Sequence, residues 1–256
     1  MIQNLLKNKV LFWLGTVHLF VCLILTFYSF FNDVVVLGIN SMIKPIKFAL
    51  SIWAYSWTMA LILNYVADTK KVKIYAWVAV VCMSFEQIAI TLQATKGELS
   101  HFNHATVFGT ILFSLMGVFI LTVTLWTAYI TSVFIKQKSY NLPPATVLSI
   151  KIGLIYFVIF SLFGGYISSL PGHTVGSADG STGLWFLNWS VLYGDLRVAH
   201  FFGIHSLQII PLLGVAVSKY FDSPKSVKTV KTYSFIYFIV VTLTLIQGVL
   251  GLPFIK

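Results

Sequence analysis

Seven apolar stretches run along this chain, each about as long as the hydrocarbon core of a bilayer is thick. A helix needs about 20 mostly apolar residues to cross that core. Hydrophobic residues make up 58% of the 256 positions and charged residues only 9%, too few polar groups to wrap the apolar surface in water. Lipid has to cover it, and in lipid every backbone N–H and C=O must be satisfied within the segment, which a helix does. The sequence therefore predicts an all-α fold, a polytopic transmembrane bundle of seven helices forming a single domain over 1–256. The spans fall at 10–31, 44–66, 73–94, 103–135, 145–168, 197–218 and 233–252, and residues 169–196 form the one long connection.

Basic residues set the expected orientation. Twelve of the 17 Lys and Arg lie at one set of span ends, from Lys7 to Lys231; the other set carries Lys44, Lys47, Lys96, Arg197 and Lys256. Short loops rich in Lys and Arg stay in the cytoplasm, so the N-terminus is predicted inside and the C-terminus outside. The net charge of +10 is then explained by topology and anionic headgroups rather than by nucleic acid. Cys22 and Cys82 fall mid-span, where they pack as small apolar residues. The first span follows a basic segment but has no small-residue cleavage site, and reads as a retained anchor.

Polar residues are expensive inside lipid and mark function by default. Here they gather in the predicted outer half. His101 and His104 are expected to open the fourth span and to share one helix face; His200 and His205 lie in the sixth, with Arg197 at its mouth. Lys44 and Lys47 open the second span, His173 lies in the long loop, and His18 stands apart in the first span. Glu86 lies about seven residues below the outer end of the third span, roughly 10 Å down at 1.5 Å per residue, with Gln93 two turns above it. An isolated carboxylate in that setting takes up a proton or finds a cation, and Lys47 is the expected partner.

Two facing helices that each offer an imidazole at similar depth, with an apolar slot between them, suit bis-histidine haem. One of His101 or His104 with one of His200 or His205 would supply the axial ligands, with Arg197 and Lys47 as propionate partners and Glu86 as a proton carrier. Copper or zinc held by the same four histidines, or no cofactor at all, are the alternatives. A short echo, Gly97-Glu98-Leu99…His101-Phe102 against Gly194-Asp195-Leu196…His200-Phe201, suggests two parallel repeats of one hairpin.

The loop 169–196 reads as a structureless lid or plug, with Trp185 and Trp189 expected at headgroup level. Its run Gly176-Ser177-Ala178-Asp179-Gly180-Ser181-Thr182-Gly183-Leu184-Trp185, continuing through Asn188-Trp189-Ser190 to a histidine-bearing helix, resembles the outer loop of haem A synthases. That resemblance implies haem held by axial histidines and a membrane haem-dependent oxidoreductase, with a quinone or redox protein as partner besides lipid. The chain departs from that family in having seven spans rather than eight and Asn188-Trp189-Ser190 in place of Asp-Trp-Pro. Lys44-Pro45-Ile46-Lys47-Phe48-Ala49 and Gly194-Asp195-Leu196-Arg197 also resemble uncharacterised bacterial membrane proteins, which implies a multi-pass protein of a bacterial inner (plasma) membrane.

Retinal would need a lysine in the middle of the last span, where this chain has Thr242, Thr244 and Gln247. No P-loop, dinucleotide fingerprint, Cys-x-x-Cys-His or His-Glu-x-x-His motif is present. Two classes remain: a haem-binding redox or haem-modifying protein, and a proton-coupled transporter or channel for a small solute that uses Glu86, Lys47 and the histidines.

Overall fold

The computed structural model describes residues 2–256. Its frame is seven long helices: α1 (Lys9–Ser29), α2 (Ile43–Ile62), α3 (Thr69–Thr95), α4 (Val107–Lys136), α5 (Pro144–Ser168), α6 (Leu196–Tyr220) and α7 (Ser223–Val249). All seven are long and apolar enough to span a membrane. The protein is an all-α bundle of multi-pass design. Rows of large apolar side chains face outward, Phe20, Ile24 and Phe27 on α1 and Val118 and Leu125 on α4 among them, a surface that only lipid can cover.

Helix starts follow the local chemistry. Asn8 accepts a hydrogen bond from the Leu11 N–H, Asp68 from Lys71 and Thr106 from Gly109, each satisfying an orphan donor of the first turn. Pro144 and Pro224 sit where a missing N–H costs nothing. Three helix starts differ by four residues or more from those the hydropathy predicts, that of the third helix falling at Thr69 rather than 73, behind its cap Asp68. The seventh helix runs from Ser223 to Val249 rather than 233–252, because Asp222-Ser223-Pro224 starts it in the polar zone. The fourth begins at Val107, since Thr106 is its cap, and the four residues assigned to it from 103 belong to a loop.

Small residues set the closest helix contacts. Along α5 and α6 the two backbones lock alternately. A Cβ on Gly203 would land 2.0 Å from the Phe160 ring and one on Gly214 1.9 Å from the Ser149 hydroxyl; on the α5 side, one on Gly153 would lie 2.9 Å from the Ser206 carbonyl. Gly15 on α1 likewise admits the Trp57 indole of α2. On the inside, Tyr55, Tyr75 and Thr127 join hydroxyls between α2, α3 and α4, so three buried polar groups satisfy one another away from water.

At the histidine-bearing end the connections are ordered. A short hairpin, β1 (Val35–Val36) with β2 (Ile39–Asn40), joins α1 to α2, and β3 (Thr174–Val175) pairs antiparallel with β4 (Gly194–Asp195) in the long loop. The two connections touch: the Gly180 backbone, at φ +104°, lies against Leu37.

Candidate functional site

The loop between α5 and α6 is not structureless. Besides β3 and β4, residues 182–191 fold back on themselves: Val191 N–H donates to Thr182 O at 3.1 Å and Leu184 N–H to Trp189 O at 2.9 Å. Asp179 fastens one side, accepting from the Thr174 N–H at 2.9 Å and the His173 N–H at 3.2 Å. Asp195 fastens the other. It is fully buried as a side chain, caps α6 through the Arg197 N–H at 3.0 Å and accepts the Ser190 N–H at 3.0 Å. The Arg197 guanidinium clamps the same carboxylate, Nε to Oδ1 at 2.9 Å and Nη2 to Oδ2 at 2.6 Å, and also donates to the Asn188 carbonyl. Gly194 lies directly on the end of α7, where a Cβ would come within 2.0 Å of the Gly248 carbonyl.

The tryptophans divide. Trp185 is 87% exposed, as headgroup placement requires, but Trp189 is 6% exposed and packs edge-on against Phe201 and Phe254. The expectation for Trp189 is corrected: the hairpin turns its indole inward, so it plugs the bundle.

His101 and His104 do not share a helix face. Both lie in the 96–106 connection, which reverses at Phe102 (φ +57°), a left-handed conformation that only a well-fixed surrounding holds in a bulky residue. The fixing groups are Gln93, Glu98 and Asn103: Glu98 Oε2 accepts from the other two at 3.2 Å each, and Asn103 seats on Gly109. Both imidazoles border Phe113, at ring-centroid distances of 5.7 and 5.8 Å, but His104 is exposed whereas His101 also touches Phe48.

On α6 the imidazoles have different neighbours. His200 Nδ1 donates to the Phe160 carbonyl at 2.8 Å and its ring lies on Gly164. A carbonyl acceptor fixes the tautomer, leaving Nε2 with its lone pair. His205 Nδ1 faces Gln208 Oε1 at 3.3 Å, and Gln208 Nε2 reaches Thr58 on α2 at 3.2 Å. His18 is buried and bonds its own helix at Leu14. The partners of the 101/104 pair and of the 200/205 pair are thus disjoint. Among the described residues no group of three or more His, Cys, Asp or Glu side chains is arranged to hold a metal ion. The proposed echo also parts in three dimensions: Gly97 is a left-handed turn (φ +70°) after α3, whereas Gly194 is a strand residue.

Glu86 corrects one pairing and exposes another. It is 3% exposed, nine residues below the end of α3 at Thr95, about 14 Å at 1.5 Å per residue. Its Oε1 has no hydrogen-bond partner among the described residues. Lys47, the expected partner, instead donates to the Leu187 carbonyl of the loop at 3.0 Å. The cation whose field reaches the Glu86 carboxylate is Lys44, and it does so without an ion pair inside 4.0 Å. Gln87 Oε1 and Gln93 Oε1 on the same helix are likewise buried and unpartnered. Sequence reading did not single out Asp179, Glu98 or Asn103; Asp179-Gly180 carried a turn signal, but nothing local marked it as the loop's anchor.

Charges outside the helices follow the same geometry. Burial, reinforced by the Arg197 guanidinium, brings His173 down to about 4, outweighing the Asp179 carboxylate at 3.0 Å from its Nδ1. His101 is held well below the usual histidine value by burial, then by Lys44 and His173. Burial alone would raise Asp195, but hydrogen bonding to Arg197 and the guanidinium charge outweigh it and keep the carboxyl below its ordinary range. Around neutral pH the loop therefore holds neutral imidazoles over an ionised, fully paired Asp195. Comparison of the chain with models of protein families, with curated proteins and with solved structures finds no match.

Proposed function

We propose that this integral membrane protein is a proton-coupled transporter of a small polar solute, with its binding chamber beneath the loop of residues 169–196. The observation that carries the reading is Glu86: a carboxyl buried in a spanning helix, unpartnered at Oε1, with Lys44 in electrostatic reach but not in contact. An unmet buried polar atom costs about 1–3 kcal/mol, and among the described residues Glu86 is the one carboxyl left in that state. An intramembrane carboxyl that can take or release a proton as a solute arrives is the chemistry of coupling. On this reading Lys47 and Arg197 hold the lid by its Leu187 and Asn188 carbonyls, and the lysine-poor end faces outward.

The test is purified protein in liposomes loaded with a pH-sensitive dye. Amino acids, carboxylates and amines are added outside one at a time. Internal acidification on addition of at least one solute is expected, with its loss in Glu86→Gln. Silence across the whole panel in the unaltered protein sinks the reading.

A second reading keeps haem, on one observation. His200 has its Nδ1 held by a backbone carbonyl, which leaves Nε2 with the lone pair a metal would need. His101 or His104 would have to supply the second ligand, Arg197 and Lys47 the propionate contacts, and Glu86 a proton; a bound haem would supply electron transfer toward a quinone or redox partner. An absorption spectrum decides it: a Soret band that vanishes in His200→Ala supports haem, and a colourless preparation removes it. Copper or zinc at the same histidines would appear in metal analysis of that preparation.

A further inference from the structure

We infer that the solute taken by this chamber is a small zwitterion, an amino-acid-like molecule whose ammonium meets Glu86 and whose carboxylate meets Lys44. The inference deepens the transporter reading and rests on it.

At this end Asp33, Lys96 and Lys256 are exposed and Glu98 accepts from Gln93 and Asn103; of the charged groups farther in, most are already occupied. Asp195 is saturated by Arg197 and two backbone N–H groups. Asp179 is taken up by His173 and Thr174, and Lys47 is committed to the Leu187 carbonyl. Glu86 and Lys44 remain. They are an acid and a base on neighbouring helices, Lys44 on α2 and Glu86 on α3, which meet where Gln87 Nε2 donates to the Pro45 carbonyl at 3.3 Å. Yet they stay beyond 4.0 Å, the limit of an ion pair. Glu86 is 97% buried, being 3% exposed, and its Oε1 meets no donor.

A carboxyl and an amine left apart in low dielectric gain little by ionising, and a ligand that brings the opposite charge to each draws both into their charged forms. A cation alone would satisfy Glu86 and leave Lys44 more repelled, since Lys44 already faces Arg197 and Lys47. An anion alone would satisfy Lys44 and leave the carboxylate uncompensated. A dipolar solute satisfies both ends at once and adds no net charge to the interior, whose desolvation penalty rises steeply with unpaired charge. The ammonium end has further acceptors nearby in sequence: Gln87 Oε1 beside Glu86, and Gln93 Oε1 two turns nearer the mouth. Phe48, one turn below Lys44 on α2 and bordering His101, offers an apolar surface to a short carbon chain.

Calorimetric titration of the detergent-purified protein tests this with glycine, β-alanine and γ-aminobutyrate as zwitterions of increasing length, and acetate and methylammonium as their separated halves. At least one zwitterion is expected to bind about tenfold or more tighter than either half, since it makes two charge-assisted contacts where each half makes one. The best length measures the gap between the two groups. Lys44→Met should abolish that advantage while retaining methylammonium binding, and Glu86→Gln should abolish it while retaining acetate binding; unchanged melting midpoints certify that both variants fold. Acetate or methylammonium binding as tightly as every zwitterion overturns the zwitterion but leaves a solute chamber standing. No heat from any of the five overturns the inference outright, whereas the transporter reading then falls only if the dye-loaded liposomes are also silent.

Discussion

Asp195 with Arg197 and Glu86 with Lys44 are two acid–base couples at the same end of one bundle, and the fold treats them oppositely. The first is closed. Its carboxylate has no exposed surface, two N–H caps and a two-point guanidinium clamp, and the arginine carries on to a loop carbonyl. The second is open, with an unmet carboxyl oxygen and a lysine held off. A buried ion pair repays its desolvation only when the geometry is close and the remaining lone pairs are satisfied. The closed couple meets that condition and fastens the loop to α6. The open couple fails it within the protein, and on the proposed transporter reading its partner is a solute or proton that comes and goes.

The comparison breaks most sharply at the closed couple. Asp195→Ala strips the partner from Arg197 and two N–H donors at once, and should cost about 3–5 kcal/mol. It is expected to give the largest fall in melting midpoint in detergent of any variant named here, with the loop becoming susceptible to protease. A fall no larger than that of an exposed control such as Asp33→Ala would mean that the clamp is decorative. Next in size, Gly203→Ala forces a methyl into the Phe160 ring between α5 and α6 and should cost about 1–3 kcal/mol by overpacking. Because it moves the helix that carries Asp195 without touching any charge, it calibrates how much of the first effect is helix displacement.

How much of this was legible beforehand divides along the same line. The seven spans follow from hydropathy because the bilayer imposes one length on every crossing, whereas the starts at Thr69, Val107 and Ser223 follow the cap residues Asp68, Thr106 and Asp222 and not the ends of the apolar runs. The fourth span misled because Phe102, Ala105 and Val107 continue an apolar run that Glu98 and Asn103 break through side-chain contacts. Those contacts are not periodic in sequence. The site was half legible: Glu86, Lys44 and Arg197 stood out as charges near lipid, but their pairing depends on which way α2 and α3 turn. Lys47, one turn from Lys44, was the nearer guess by depth and is drawn instead to Leu187 O. The histidines shared an address without sharing neighbours, since clustering along a chain fixes depth but not azimuth.

Acidity should loosen the loop while the closed couple still holds. His173 is depressed to about 4 in the folded loop against an ordinary 6.5, so between those values the detached loop binds a proton that the closed loop refuses. Closure therefore weakens as pH falls from 6.5 toward 4 and is level above that window. His101, also depressed, acts in the same direction. Asp195 is depressed too, so its contribution is present above its unfolded value of 3.8 and is lost only as pH falls below that. Protection factors of residues 173–196 against hydrogen exchange should fall as pH drops across the window, less so in His173→Gln, and stay level when His101 is replaced as well. A slope untouched by both replacements would assign the titration elsewhere.

The smallest expected shift in stability belongs to the open couple, and it separates the two most cleanly. Glu86→Gln keeps the shape of the side chain and removes a carboxyl that the protein itself leaves unmatched at Oε1, so stability should hold within about 0.5 kcal/mol of the unaltered protein or rise. If Glu86 instead held the helices together as a hidden ion pair, the same change would strand Lys44 and cost about 3–5 kcal/mol. A stable Glu86→Gln protein that no longer acidifies the liposomes places the cost of that carboxyl on the side of function. A Glu86→Gln protein as crippled in stability as Asp195→Ala would make both couples structural, and the contrast between them would disappear.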